Sequence, residues 1–238
     1  MAVRNQLVLE ASSVERRAPE RASALPFRLG MRRVAGARNR RLSDRPAKRV
    51  LDLVVALTLI VLLAPVLAAI ALLVRFDSHG PVLFRQMRTG LRGRPFAILK
   101  FRTMRVLENG ETIVQATEDD PRITRIGRIL RKTSLDELPQ LFNVLAGEMS
   151  LVGPRPHAVA HDRHYGALID DYALRQRVKP GITGWAQVHG HRGATPTLDI
   201  MRTRIGHDGW YALHANLALD LRILFATPMA ILRQRNAY

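Results

Sequence analysis

The sequence predicts an α+β fold, mostly helical, with a broken re-entrant membrane helix and a cytoplasmic globular part that carries amphipathic interfacial helices and a small β-hairpin. Three observations lead there. An uncharged run, "LVVALTLIVLLAPVLAAIALLV" (53–74), contains Pro65 and has basic residues on both flanks. Next, "GPVLFRQMRTGLRGRPFAILKFRTM" (80–104) holds two short apolar runs joined by a Gly-rich basic link. That is a hairpin pattern. Beyond residue 119, several segments repeat apolar residues at helical spacing.

Each element follows in chain order. Residues 1–47 form a basic tail, scattered with Ala, Ser and Pro and without sustained period, which reads as disordered. It is not a signal peptide, because the strongly apolar stretch comes too late. Residues 48–79 hold the membrane segment. Twenty-two uncharged residues are enough to cross a bilayer core. Pro65 lacks a backbone donor and should break the helix near its middle. Arg40, Arg41, Arg45, Lys48 and Arg49 precede the run, and Arg75, Arg85, Arg88, Arg92 and Arg94 follow it. Basic flanks favour the cytoplasmic side, so a helix that turns at Pro65 and returns satisfies both, with a spanning helix as the alternative. Asp52 and Arg75 would then sit near the interface.

Residues 80–238 form the globular domain. "DDPRITRIGRILRK" (119–132) predicts a helix with Asp120 as cap and Pro121 in its first turn. Arg122, Arg125 and Arg128 make a basic ridge suited to an anionic membrane face, or simply a solvated face. "YGALIDDYALRQRV" (165–178) predicts a second amphipathic helix, and "KPGITGWAQVHGHRG" (179–193) an ordered loop. "NLALDLRILFATPMAIL" (216–232) is apolar almost all round and should bend or break at Pro228.

Composition narrows the chemistry. The formal net charge is +17, from 37 Lys and Arg against 20 Asp and Glu. Such a surplus points to phosphate-rich partners. Aromatic residues are only 5%, a poor supply for stacking single-stranded nucleic acid, and nucleic acid is not an expected partner. There are no cysteines, which excludes disulfides, thiolate metal sites and cysteine nucleophiles.

Against that basic background stands "SLDELPQLFNVL" (134–145), with Asp136 and Glu137 side by side. Ser134 and Glu137 have the spacing of a capping box, although Pro139 would lie one residue too deep for that frame. Either frame puts both carboxylates at a helix N-terminus, where the dipole and the nearby Arg131 favour their ionised forms. Asp136 is then suited to act as a nucleophile or metal ligand rather than a proton donor. In "LVGPRPHAV" (151–159) two prolines stiffen the backbone around Arg155, whose guanidinium can clamp phosphate oxygens. With Lys100, Arg102 and Arg131 it suggests a polyanion site beside a carboxylate. A carboxylate attacking phosphorus needs such cations against like-charge repulsion.

These stretches together resemble one family, the bacterial sugar transferases, or monotopic phosphoglycosyl transferases. "KRVLDL", the apolar run with Pro65, "GPVLFRQMRTG", "FAILKFRTM", "DDPRITRIGRILRKTSLDELPQLFNVLAGEMSLVGPRP", "VKPGITGWAQV" and "LALDLRIL" occur in the family's order over residues 48–238. The resemblance implies transfer of a sugar 1-phosphate from a UDP-sugar to polyprenyl (undecaprenyl) phosphate at the cytoplasmic face of the bacterial inner membrane. It implies Asp136 as nucleophile, an aspartyl phosphosugar intermediate and release of UMP. It also implies Mg2+ at Asp136, Glu137 in a supporting catalytic role, and phosphate contacts at Arg131 and Arg155. A homodimer is an open assembly state. "GPRPHAVAHD", "HRGATPTLDIMRTRI" and "RNAY" are similar to the branch that loads glucose 1-phosphate for exopolysaccharide synthesis. Ala64, His189 and "HANLA" (214–218) depart from the family pattern. Two other readings of the residues stay open: a metal-dependent phosphatase or pyrophosphatase, and a basic membrane-anchored binding protein without chemistry.

Overall fold

The computed structural model of the chain describes residues 46–105 and 120–233. Most of the basic tail and the terminal "RNAY" lie outside the described residues. Helix α1 spans Pro46–Asp77, 32 residues. It is the one helix among the described residues long and apolar enough to cross a membrane, and only 11% of its most apolar window is buried.

The expected break at Pro65 is absent, for α1 continues through the proline. Pro65 still offers no N–H to the carbonyl one turn back, so the helix is locally weakened there. Burial divides α1 into two halves. Lys48, Asp52 and Ala56 form a buried stripe at one end, and Ile70 and Val74 at the other. Between residues 57 and 69 no side chain is buried, and Val61, Leu62 and Val66 are exposed. Asp52 is not an interfacial charge as expected. Its carboxylate is buried and accepts from Ser150 Oγ and Leu151 N, both at 3.1 Å.

The hairpin is present. Strand β1 (Leu83–Thr89) pairs antiparallel with β2 (Pro95–Phe101), in a register running from Leu83 opposite Phe101 to Thr89 opposite Pro95. Phe96 and Ile98 are buried on β2, and Lys100 follows them at strand period.

Helix α2 spans Arg125–Thr133. It starts later than the sequence predicts. Thr124, not Asp120, is the cap, with its side chain accepting from Gly127 N at 2.9 Å. Asp120 instead binds Arg122 through backbone and side chain. Gly127 touches the backbone of Thr103, which a Cβ would strike, so α2 is held tightly beside the exit of β2.

A 3-10 turn, Leu135–Glu137, leads into α3 (Gln140–Ala146). Asn143 on α3 bonds Leu99 N at 3.0 Å and Ala97 O at 2.8 Å, which satisfies backbone groups of β2 with a side chain. Strand β3 (Ser150–Val152) pairs in parallel with β4 (Gly181–Thr183). Helix α4 is Val159–Leu168, and a 3-10 segment covers Tyr172–Arg177. The single helix expected over 165–178 is therefore two pieces. Helices α5 (Trp185–Val188), α6 (Leu198–His214) and α7 (Leu217–Arg233) complete the order. Pro228 lies inside α7 without ending it.

Two apolar clusters build the core. The larger joins Ala56 of α1 to Phe96 and Ile98, Leu141 and Val144, Leu151 and Val152, Tyr211, and Leu219 and Ile223. The smaller joins Ile70 and Val74 of α1 to Phe101 and Leu130. Each half of α1 thus buries its stripe in a different cluster.

Candidate active site

The two carboxylates lie in the 3-10 turn between α2 and α3, and both are buried. Neither occupies a helix N-cap. Ser134 is left-handed, with φ 61°, and closes α2 as its C-cap. Its side chain makes no capping bond at the head of the following turn. The capping box allowed by the spacing is not formed.

Glu137 is engaged elsewhere. Arg155 grips it with a fork, Nη2 to Oε1 at 2.6 Å and Nη1 to Oε2 at 3.1 Å. Lys100 Nζ adds a third bond to Oε1 at 2.9 Å. Burial alone would raise the Glu137 pKa, but Arg155 and Lys100 overcome it and hold the carboxyl well below its ordinary range. Glu137 is therefore an anion that collects two cations.

Asp136 differs. No side-chain hydrogen bond or ion pair reaches its carboxylate among the described residues. Burial, with the neighbouring Glu137 charge, pushes its pKa up to about 6, against the pull of Lys100, Arg155 and Arg131. The sequence predicts the opposite direction, from a helix dipole that this turn does not supply. Desolvation wins because the side chain is enclosed. At pH 7 the group is still about nine-tenths ionised.

Local backbone explains why Arg155 points here. Gly153 packs against the backbone of Lys179 and Gly181, so closely that a Cβ on either glycine would overlap the other segment. That contact sets the "GPRP" loop onto the start of β4. Arg175, itself buried, donates to the carbonyl of Arg155. Asp208 holds Arg175 in turn, at 3.1 Å. Arg88 donates to the next carbonyl, of Pro156, at 3.3 Å.

Of the predicted site residues, Asp136, Glu137, Lys100 and Arg155 converge. Arg131 stands close enough for its charge to act on Asp136, and its Nη1 meets Met104 Sδ at 3.7 Å. Arg102 is elsewhere. It is almost fully buried at the end of α1, donating to Val74 O at 3.2 Å and Ser78 O at 2.6 Å. There it satisfies carbonyls that a helix C-terminus leaves open. Residues that motif reasoning missed are Arg88, Arg175, Arg192 and Arg204. Arg192 donates to Ser134 Oγ at 2.5 Å, and Glu137, Arg155 and Asp136 all bear on its charge. The one visible hint was a lone arginine between Gly190 and Gly193.

The described residues contain no group of three His, Asp or Glu arranged for a metal. The histidines serve packing instead. His157 bonds Tyr172, and His189 lies tilted against Trp185 with ring centroids 3.9 Å apart. A divalent ion of the magnesium type needs less than a full protein cage, because one or two carboxylates plus substrate phosphates suffice. Asp136, with its unbonded carboxylate, fits that requirement. Glu137, with both oxygens occupied, does not.

A model of the bacterial sugar transferase family matches residues 43–234. A UDP-glucose:undecaprenyl-phosphate glucose-1-phosphate transferase of Escherichia coli (strain K12) is 50% identical over 195 residues, 82% of this chain and 42% of that protein. One of the same description from Caulobacter vibrioides is 54% identical over 191 residues, 80% of this chain and 72% of that protein. The exopolysaccharide production protein PSS of Rhizobium leguminosarum bv. phaseoli is 43% identical over 199 residues, 82% of this chain and 100% of that protein. The chain thus spans about two-fifths of the length of the E. coli relative.

Proposed function

Because this chain belongs to the bacterial sugar transferase family, we propose that it transfers glucose 1-phosphate from UDP-glucose to undecaprenyl phosphate and releases UMP. The observation that carries this reading is the unequal pair. Glu137 is neutralised by Arg155 and Lys100, while Asp136 beside it keeps a charged, unbonded carboxylate. Such a group is free to attack, and the cations Glu137 has gathered can meet the phosphate it attacks.

The chemistry proceeds in two displacements. An Asp136 oxygen bonds to the phosphorus that bears the sugar, and the bond from that phosphorus to the bridging oxygen breaks. The electron pair leaves on UMP. An oxygen of the lipid phosphate then attacks the same phosphorus and frees the Asp136 carboxylate. Lys100, Arg155 and Arg131 spread the negative charge that builds on phosphorus. Glu137 orients Lys100 and Arg155 and does not touch the reacting atoms. Mg2+, held by Asp136 and substrate phosphates, would further neutralise the diphosphate.

The site belongs on the cytoplasmic face of the bacterial inner membrane, with α1 unbroken but bent at the turn Pro65 weakens, so that both of its ends return to that face. Support comes from its two ends. Arg49 donates to Val144 O at 2.6 Å and Leu145 O at 2.8 Å. At the far end Asp77 accepts from Ile126 N at 3.2 Å, and Arg102 binds Val74 O. A helix of this length spans about 48 Å, more than the roughly 30 Å hydrocarbon core. A straight crossing would separate two ends that bind the same folded domain.

Purified protein in detergent should release at most a single equivalent of UMP from UDP-glucose alone, and should turn over repeatedly only when undecaprenyl phosphate is added. Release of inorganic phosphate, without a lipid-linked product, would overturn the transferase reading.

A further inference from the structure

Arg155 and Arg192 are presented in the same way. Each lies on a loop whose backbone carbonyl, at or next to the arginine, is gripped by another arginine. For Arg155 these are its own carbonyl, taken by Arg175, and that of Pro156, taken by Arg88. For Arg192 it is the carbonyl of Gly193, taken by the buried Arg204. The two loops approach the 3-10 turn separately. Arg155 binds Glu137, and Arg192 binds Ser134, two residues before Asp136.

The charges around Arg192 do not balance. Among the described residues, no carboxylate lies within ion-pair distance of Arg88, Arg192 or Arg204. All three feel the repulsion of Arg155, set against the longer-range pull of carboxylates: Glu137 and Asp136 on Arg192, Glu137 and Asp162 on Arg88, and Asp208 on Arg204. Burial pulls Arg88 and Arg204 down to about 10, so both remain cations near neutral pH, and burial lowers Arg192 as well. Partly enclosed cations with no carboxylate in direct contact leave donors that an arriving anion can take.

We propose that Arg192 is a second phosphate-binding arginine, which contacts the phosphate of the departing UMP while Arg155 serves the phosphorus under attack. Arg88 and Arg204 are positioning residues for the two loops. When the bridging bond breaks, the electron pair settles on the UMP phosphate, and a guanidinium there stabilises that charge through paired donors. This inference rests on the UDP-sugar reading above and assigns a new residue to it.

The test uses the full chain in detergent, with UMP as probe. Affinity for UMP is measured by calorimetry for wild type, Arg192→Ala, Arg192→Lys and Ser134→Ala. Arg192→Ala should bind UMP about 10–100-fold more weakly, as expected for losing a hydrogen bond to a charged group. Arg192→Lys should fall between, which keeps the test informative if the alanine variant unfolds. Ser134→Ala should bind UMP as wild type does. Wild-type affinity in Arg192→Ala, or an equal loss in Ser134→Ala, would show that Arg192 only braces the turn. Normal UMP binding combined with a slowed lipid half-reaction would assign Arg192 to the lipid phosphate and defeat the proposal. Wild-type turnover is the control for the parent reading. If wild type releases no UMP from UDP-glucose with undecaprenyl phosphate, the UDP-sugar reading fails and this inference with it. If wild type turns over and Arg192→Ala is unaffected, only the inference fails.

Discussion

Arg155 meets Glu137 through two parallel bonds, at 2.6 and 3.1 Å, and leaves Asp136 without a bond of its own. The two adjacent carboxylates therefore have different work. One arranges cations and the other stays available.

Glu137→Gln should damage both activity and fold. The amide keeps the shape but releases two cations that then repel each other. Removing one partner of an enclosed pair costs about 3–5 kcal/mol at full burial. Lys100 and Arg155 retain some exposure, at 18% and 26% of their side chains, so a loss of about 1–3 kcal/mol is expected here. Thermal unfolding and UMP release, measured on the same preparation, check this. A normal melting temperature would remove Glu137 from its bracing role.

Asp136→Asn should abolish turnover yet raise stability at pH 8. A carboxyl whose folded pKa is about 6, above its unfolded value, binds its proton more tightly in the native state. The Asp136 contribution to stability is then fullest below pH 4 and is lost as pH rises through 6. The ionised group costs the native state on the order of 2–3 kcal/mol near neutral pH, and the amide removes that penalty. Melting curves of both proteins at pH 5 and pH 8 should diverge as the pH increases. Parallel curves would contradict the raised pKa.

The same titration should appear in the chemistry. Wild type incubated with UDP-[14C]glucose and Mg2+, without lipid, should retain label on protein and release UMP. The yield should climb between pH 5 and pH 7 as Asp136 ionises. Asp136→Asn should retain none. If label never appears and UMP release always requires lipid, transfer is direct and Asp136 is only a ligand.

Lys48→Met should destabilise the domain without changing its mechanism. Lys48 Nζ lies 2.7 Å from an Asp220 carboxylate that has no exposed surface. Methionine fills the space but strands that charge, at a cost of about 3–5 kcal/mol. The measurement is the melting temperature together with pH dependence of residual activity. A large melting shift with an unaltered pH profile is expected.

Tags at residues 2 and 238 should label from the same side of the membrane in intact cells, as re-entrance of α1 requires. Pro65→Ala restores a backbone donor where α1 is weakest and should shift part of the population to opposite-side labelling. Opposite-side labelling of the wild type would overturn the topology.

The apolar segment, the hairpin and four members of the site were legible because each carries a signal that does not depend on distant partners. Arg102 was misread for a definable reason. Two residues after Lys100, it would share that face if β2 continued, but the strand ends at Phe101 and the chain turns toward the end of α1. The spacing of Ser134 and Glu137 suggested a cap, yet local bonding lost to Arg155 and Lys100, which arrive from far along the chain. Strands β3 and β4, three residues each, are too short to show a period. Arg88, Arg175 and Arg204 act on backbone carbonyls, and no side-chain motif advertises such a partner.

The two tethered ends of α1 have a consequence for how a lipid finds the site. With Arg49 fastened to α3 at one end and Arg102 capping the other, the domain cannot swivel about a single stalk. Immersing the apolar middle of α1 fixes both the tilt and the height of the domain above the bilayer. The distance from Asp136 to the headgroup plane becomes a constant of the fold. In the proposed reaction, a lipid acceptor whose phosphate is confined to that plane would reach the carboxylate by a two-dimensional search.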